Sequence, residues 1–207
     1  MICAIEKCVY AILLGLFIGS PNIAVYGKVR TLPDAGKDTL KADYQDQFQW
    51  AEHSKLSWDD FKGAVNAAND ASAAATYCGI GIKTNNCTRE GKPEIVIYNT
   101  FYTKKSWVRE DARIASILEH EQGHFDLCEI YTRKLRQRVC NLDLNMPNAK
   151  QALIDLYTEV SNEYENRQRA YEQETVHGTD IMQQKKWLEM ISNELYNVQL
   201  IAFTRNQ

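Results

Sequence analysis

The apolar positions of this chain change their period midway. Over residues 73–83 and 94–103 they alternate, with Ile95, Ile97 and Phe101 set against Val96, Tyr98 and Tyr102, which predicts two strands partly covered on both faces. Asn85-Asn86 and Glu90-Gly91-Lys92-Pro93 supply turn residues between them, so the pair is antiparallel. From 109 to 138 there is no proline and one glycine, and the pattern becomes helical. Ser106 is the expected N-cap of that helix, with Glu110 and Asp111 near its positive end. Arg133, Lys134, Arg136 and Arg138 read as its solvated C-terminal end. A second helix over about 148–172 carries Leu153, Tyr157, Val160, Tyr164 and Tyr171 as one packing stripe. After an interruption at 174–179, Asp180 and Gln183 form a capping box for a last helix with Leu188, Ile191, Leu195 and Val198 inward. Upstream, a short strand is expected near 48–50. A short helix over 56–63 follows, capped by Ser57, ended by Gly63 and anchored in the core by Trp58 and Phe61. The fold class is α+β, a small antiparallel sheet followed by a helical part.

Length and composition allow one domain with a real core: 207 residues, 44% hydrophobic and 25% charged. A net charge of -3 and a pI near 5.8 exclude the basic footprint of a nucleic-acid binder. Lys7 precedes the apolar run Cys8 to Gly19, which is too short for a comfortable membrane span and suits the core of a signal peptide. Cleavage near Gly27 divides the chain into a leader, 1–27, and a single domain, 28–207. The mature protein is then exported, periplasmic or extracellular, with no stable membrane association. In an oxidising compartment the remaining cysteines, Cys78, Cys87, Cys128 and Cys140, are expected to pair. Cys78 with Cys87 closes a short loop. Cys128 with Cys140 requires the long helix to end first, since the two lie about 18 Å apart along an unbroken one.

The candidate chemistry lies on that helix. His120-Glu121-Gln122-Gly123-His124 reads H-E-x-x-H, and a spacing of four puts both imidazoles on one helical face. This is the pattern of zinc hydrolases: two ligands, with a glutamate beside them as general base. A third protein ligand is expected, and the helix itself cannot provide it. Asp126 and Glu129 point away around the helix, and Cys128 lies about 12 Å from His120 along the axis. Of the other histidines, His53 reads as an ordinary surface residue. His177 is downstream in an irregular segment beside Gly178, free to be aimed, with Glu174 as the alternative third ligand.

Several stretches together carry a resemblance: His120 to Asp126 (HEQGHFD), Ser106-Trp107-Val108, Leu56 to Gly63, and Tyr171 to Gly178 with its Thr-x-His-Gly. Over roughly 56–195 the chain resembles a bacterial domain-of-unknown-function family whose members are described as secreted zinc-dependent proteases. The resemblance implies a zincin-like hydrolase and adds weight to His177 as a ligand. The expected activity is hydrolysis of a peptide or protein substrate, with Zn2+ on His120, His124 and His177, and Glu121 handling the proton. Strand 94–103 offers an edge for an extended substrate, and Tyr171 is a candidate donor to an oxyanion. Two other readings stand beside it. One is a non-catalytic zinc-binding module, closed by both Glu174 and His177. The other is a metal amidase acting on non-protein amides.

Overall fold

The computed structural model describes residues 46–51, 54–65, 72–85, 94–144 and 146–204. The leader, His53 and Cys87 lie outside the described residues, and so do the turn residues expected at 90–93. Strands β1 (Gln47–Phe48), β4 (Glu94–Tyr102) and β3 (Cys78–Asn85) form an antiparallel sheet in the order β1-β4-β3. Strands β2 (Ala74–Ala75) and β5 (Trp107–Val108) form a second antiparallel pair. Helices α1 (Ala115–Cys140), α2 (Ala149–Glu174) and α3 (Ile181–Thr204) follow, giving the expected α+β order. Among the described residues no helix is long and apolar enough to cross a membrane.

The expected strand at 73–83 is two strands, because the chain changes partners at Thr76-Tyr77. Ala74 and Ala75 pair with Val108 and Trp107, whereas Cys78 pairs with Phe101. The same pairing moves the start of α1. Trp107-Val108 is held as a strand by β2, and a 3-10 turn at Glu110–Ala112 separates it from the helix. Ser106 is therefore no N-cap: it is buried, and its Oγ accepts a hydrogen bond from the Tyr77 amide at 2.9 Å. Helix 56–63 shortens to a 3-10 turn at Trp58–Asp60, where the Asp60 carboxylate accepts from the Ser57 amide at 2.7 Å. Gly63 lies against the β4–β5 connection, where an added Cβ would stand 2.8 Å from both the Lys104 and Ser106 carbonyls.

Helix α1 is the centre of the molecule. From His120 onward it is buried on nearly every side, between the sheet and the other two helices. Its sheet-facing contact is an aromatic cluster. Phe48 stacks on Phe101 at 4.9 Å, and Phe61 and Phe125 meet Phe101 edge-on at 5.5 and 5.4 Å. Trp58 packs edge-on against Phe61, so both are the core anchors expected. On the helical side the stripe of α2 is observed, with Val160 and Tyr171 fully buried, and α3 presents Ile191 and Val198 together with Trp187. Asp180 caps α3, its Oδ1 accepting from the Gln183 amide.

The arginines at the end of α1 are not a solvated fringe. Arg133 and Arg136 both bond the buried Glu129 carboxylate, and Arg136 also donates to the Ile97 carbonyl of β4 at 2.8 Å. That carbonyl, with the β1 pairing at Phe101 and Tyr102, takes up part of the edge of β4 offered above to an extended substrate.

The geometry also removes both expected disulfides. Helix α1 runs unbroken to Cys140, which leaves Cys128 and Cys140 at the helical spacing that forbids a bond. Cys78 and Asn85 stand at opposite ends of β3, about 23 Å apart at the strand rise. Cys87 is two residues beyond Asn85, and two residues recover at most about 7 Å of that distance. A disulfide needs its Cα atoms within about 7 Å.

Candidate metal centre

Helices α1 and α2 run antiparallel through this region, and their side chains meet in layers that step by one turn. His120 meets Glu172, His124 meets Gln168, and Cys128 meets Tyr164. In the first layer Glu172 Oε2 lies 2.9 Å from His120 Nε2 and 3.7 Å from His124 Nε2, and the two Nε2 atoms are 3.2 Å apart. Four-coordinate zinc with bonds of about 2.0–2.1 Å has ligand–ligand edges of about 3.3–3.4 Å. The three observed separations bracket that value, so His120, His124 and Glu172 form a group that can hold a metal ion.

Each imidazole is turned by a glutamine. The Gln168 amide nitrogen donates to the His124 carbonyl, which can only accept, so Gln168 Oε1 must face His124 Nδ1. On the other side Tyr171 Oη donates to the His120 carbonyl at 3.1 Å and accepts from Gln184 Nε2 at 2.7 Å. This leaves Gln184 Oε1 to accept from His120 Nδ1 at 3.0 Å. Both rings thus carry their proton on Nδ1 and present Nε2 to the shared centre, the arrangement by which neighbouring acceptors orient ligand histidines. Burial alone would pull His124 down. The hydrogen bond and charge of Glu172, with the charge of Glu121 behind them, outweigh it and lift its pKa to about 9. The same two histidines hold Glu172 well below the usual carboxylate range despite its burial. Glu172 and the two imidazoles thus favour a positive charge held between them, of the kind that a proton or a metal cation would supply.

The two variable letters of the motif also have structural reasons. Gln122 ties the incoming chain to α1: its Oε1 accepts from the Leu56 amide and its Nε2 donates to the Ser54 carbonyl. Gly123 makes room for Tyr171, which stacks on His120 with centroids 4.7 Å apart. An added Cβ at Gly123 would stand 2.3 Å from Tyr171 Oη and 2.7 Å from its Cζ. Tyr171 is fully buried and bonded at both faces of its hydroxyl, so it cannot swing aside cheaply. Gly123→Ala is therefore expected to cost about 1–3 kcal/mol, the usual range for overpacking, and to loosen metal retention by displacing His120. Denaturant unfolding with and without metal measures both effects. A variant as stable as the parent would mean that Tyr171 has room to move.

The third donor differs from the sequence expectation. Glu172, not His177 or Glu174, stands beside the two histidines. The Glu174 carboxylate is taken by Trp187 Nε1 at 2.9 Å. His177 is 64% exposed, and its Nδ1 lies 3.3 Å from the other oxygen of Glu172, Oε1. Its segment is a left-handed turn: Val176, His177 and Gly178 have φ of 50°, 56° and 77°. Such a φ is strained for a β-branched valine. The turn presses Gly178 against His120, where an added Cβ would lie 2.8 Å from the ring Cγ, and returns the chain into α3, which brings Gln184. The Tyr171 hydroxyl is likewise taken, donating to the His120 carbonyl and accepting from Gln184. Asp126 faces the opposite way, accepting from Trp50 and Gln122.

Glu121 is buried, and its Oε2 has no hydrogen-bond partner in the structure. Its backbone carbonyl accepts from Thr76 Oγ1 at 3.3 Å, which fastens the link between β2 and β3 to this turn of the helix.

Residues 99–178 match the model of a family described as a bacterial protein of unknown function, DUF922. The matched stretch contains His120, Glu121, His124, Glu172 and His177, and it supports the resemblance to a bacterial family of unknown function. No curated protein and no solved structure matches the chain.

Proposed function

We propose that the chain is a metal-dependent hydrolase of peptide bonds, with zinc held by His120, His124 and Glu172. One observation carries this reading: two imidazoles of α1 and a carboxylate of α2 converge at the spacing of metal ligands, and α1 also bears the buried Glu121, whose Oε2 is unpartnered. Two imidazoles and a carboxylate suit zinc, and a three-residue set is the kind found in catalytic sites, whereas structural sites are usually closed by four protein ligands. Zinc bound there supplies an acidified water and a Lewis acid for the scissile carbonyl. Glu121 Oε2 accepts the proton of the attacking water and returns it to the departing amine. Gln168 and Gln184 hold the two rings in the tautomer that leaves Nε2 available, and Tyr171 supports the His120 ring from behind. His177 bears on Glu172 Oε1 and steadies the carboxylate. The apolar run at 8–19 supports placing this activity outside the cytoplasm.

The test is metal content together with hydrolysis of an unstructured protein such as denatured casein. One zinc per chain is expected, with cleavage lost on dialysis against a zinc chelator and restored by stoichiometric zinc. A chain that takes up no metal, or that cleaves equally well once stripped, overturns the proposal.

A further inference from the structure

We propose that Cys78 and Cys128 form a disulfide that joins β3 to α1 one turn beyond His124. Cys78 is the first residue of β3 and Cys128 lies mid-way along α1, and both side chains are buried. In the structure both are free thiols, and their side chains lie close enough to influence one another. Cys78 also reaches the Tyr164 hydroxyl, which stands 3.4 Å from its Sγ. A third contact locates the pair independently. Cys78 Sγ lies 3.7 Å from the His124 carbonyl, and in a regular helix that carbonyl accepts the amide of the residue four positions on, which is Cys128. The Cys78 sulfur therefore sits against the backbone turn from which the Cys128 side chain springs.

The two pairings expected from the sequence are closed by distance. Cys78 with Cys87 is excluded by the length of β3, and Cys128 with Cys140 by the unbroken helix. Among the described residues, Cys78 and Cys128 are the thiols that the fold brings together between the sheet and the helix.

The bridge forms by two exchanges with a small disulfide oxidant of the glutathione class. One cysteine thiolate attacks the oxidant, giving a mixed disulfide and releasing one thiol. The second thiolate then attacks the protein sulfur of that mixed disulfide and releases the other. The two cysteines lose two hydrogen atoms in all, and the oxidant is reduced to two thiols. Because both sulfurs are buried in the folded protein, exchange takes place while the chain folds or transiently opens. The product pins the sheet to the helical turn that carries His124. The same turn is gripped through Gln168, whose amide bonds both the His124 carbonyl and Tyr164.

The full-length chain, reduced and unfolded, is refolded in a mixture of reduced and oxidised glutathione, quenched with an alkylating agent and digested without reduction. Mass spectrometry is expected to find the Cys78 peptide joined to the Cys128 peptide, lighter by two hydrogen atoms than the free pair. If refolding yields no folded chain, natively purified protein equilibrated with the same couple is mapped instead. Recovery of Cys78 and Cys128 as alkylated thiols, or of Cys78 bound to Cys87 or Cys140, overturns the proposal. The test needs no metal and no activity, so its outcome is independent of the hydrolase reading.

Discussion

Glu172→Ala is expected to strip the metal from the protein, whereas Glu174→Ala leaves it bound and His177→Ala weakens it to a lesser degree. Among the described residues, Glu172 is the carboxylate whose oxygen lies within coordination reach of both histidine Nε2 atoms. Removing it takes away a donor atom. It also removes the charge that holds the two imidazoles together. His177 touches only the outer oxygen of Glu172, so its loss is that of a supporting partner, about 10–100-fold in affinity, and the loss from Glu172→Ala exceeds that range. Glu174 serves Trp187, and its replacement touches packing at the start of α3 without reaching the metal. Competition against a chromophoric chelator gives the three affinities, with circular dichroism to confirm that each variant is folded. A larger loss for His177→Ala than for Glu172→Ala would return the third ligand to the residue expected from sequence.

That contrast shows which parts of the site could be read in advance. His120, Glu121 and His124 are local: four residues on one helix share a face whatever the rest of the chain does. The third donor depends on how α2 lies against α1, which no local pattern states. The irregular segment at 174–179 draws attention because a loop can be aimed freely, yet the carboxylate beside the two histidines is in the last turn of α2. A signal was present. Tyr164, Gln168 and Glu172 recur every four residues along α2, a polar row beside the packing stripe, at the same interval as His120, His124 and Cys128 on α1. Two rows with one spacing on neighbouring helices can meet layer by layer when the helices are antiparallel.

The missed boundaries have a similar cause. The strands were visible as alternation, but the switch of partner at Thr76-Tyr77 arises from β5, thirty or so residues away, and only tertiary pairing reveals it. The same pairing turned Ser106 from an expected helix cap into a buried acceptor in the sheet turn. The cysteines failed on length: Cys78 and Cys87 look close in sequence, but the strand between them is fully extended.

Glu121→Gln is expected to leave the metal in place and to lower kcat about 10²–10⁴-fold, the usual contribution of a positioned general base. Glutamine preserves the shape of the side chain but cannot accept the proton of an attacking water. The metal stays because its three donors come from His120, His124 and Glu172, and Glu121 Oε2 is hydrogen-bonded to none of them. The fold is expected to survive as well. Glu121 Oε2 makes no hydrogen bond that the substitution would break, and the tie to Thr76 uses the backbone carbonyl, which every residue provides. Exchanging a buried carboxylate for an amide also removes one negative charge beside His124, which reduces attraction for a cation by a modest amount. A small rise in metal dissociation is therefore compatible with the assignment, while a stoichiometric loss is not. The measurement is metal content by elemental analysis on the same sample whose kcat on unstructured protein is determined. Loss of the metal in proportion to the lost turnover would make Glu121 a ligand, and turnover within a few-fold of the parent would place the base on another residue.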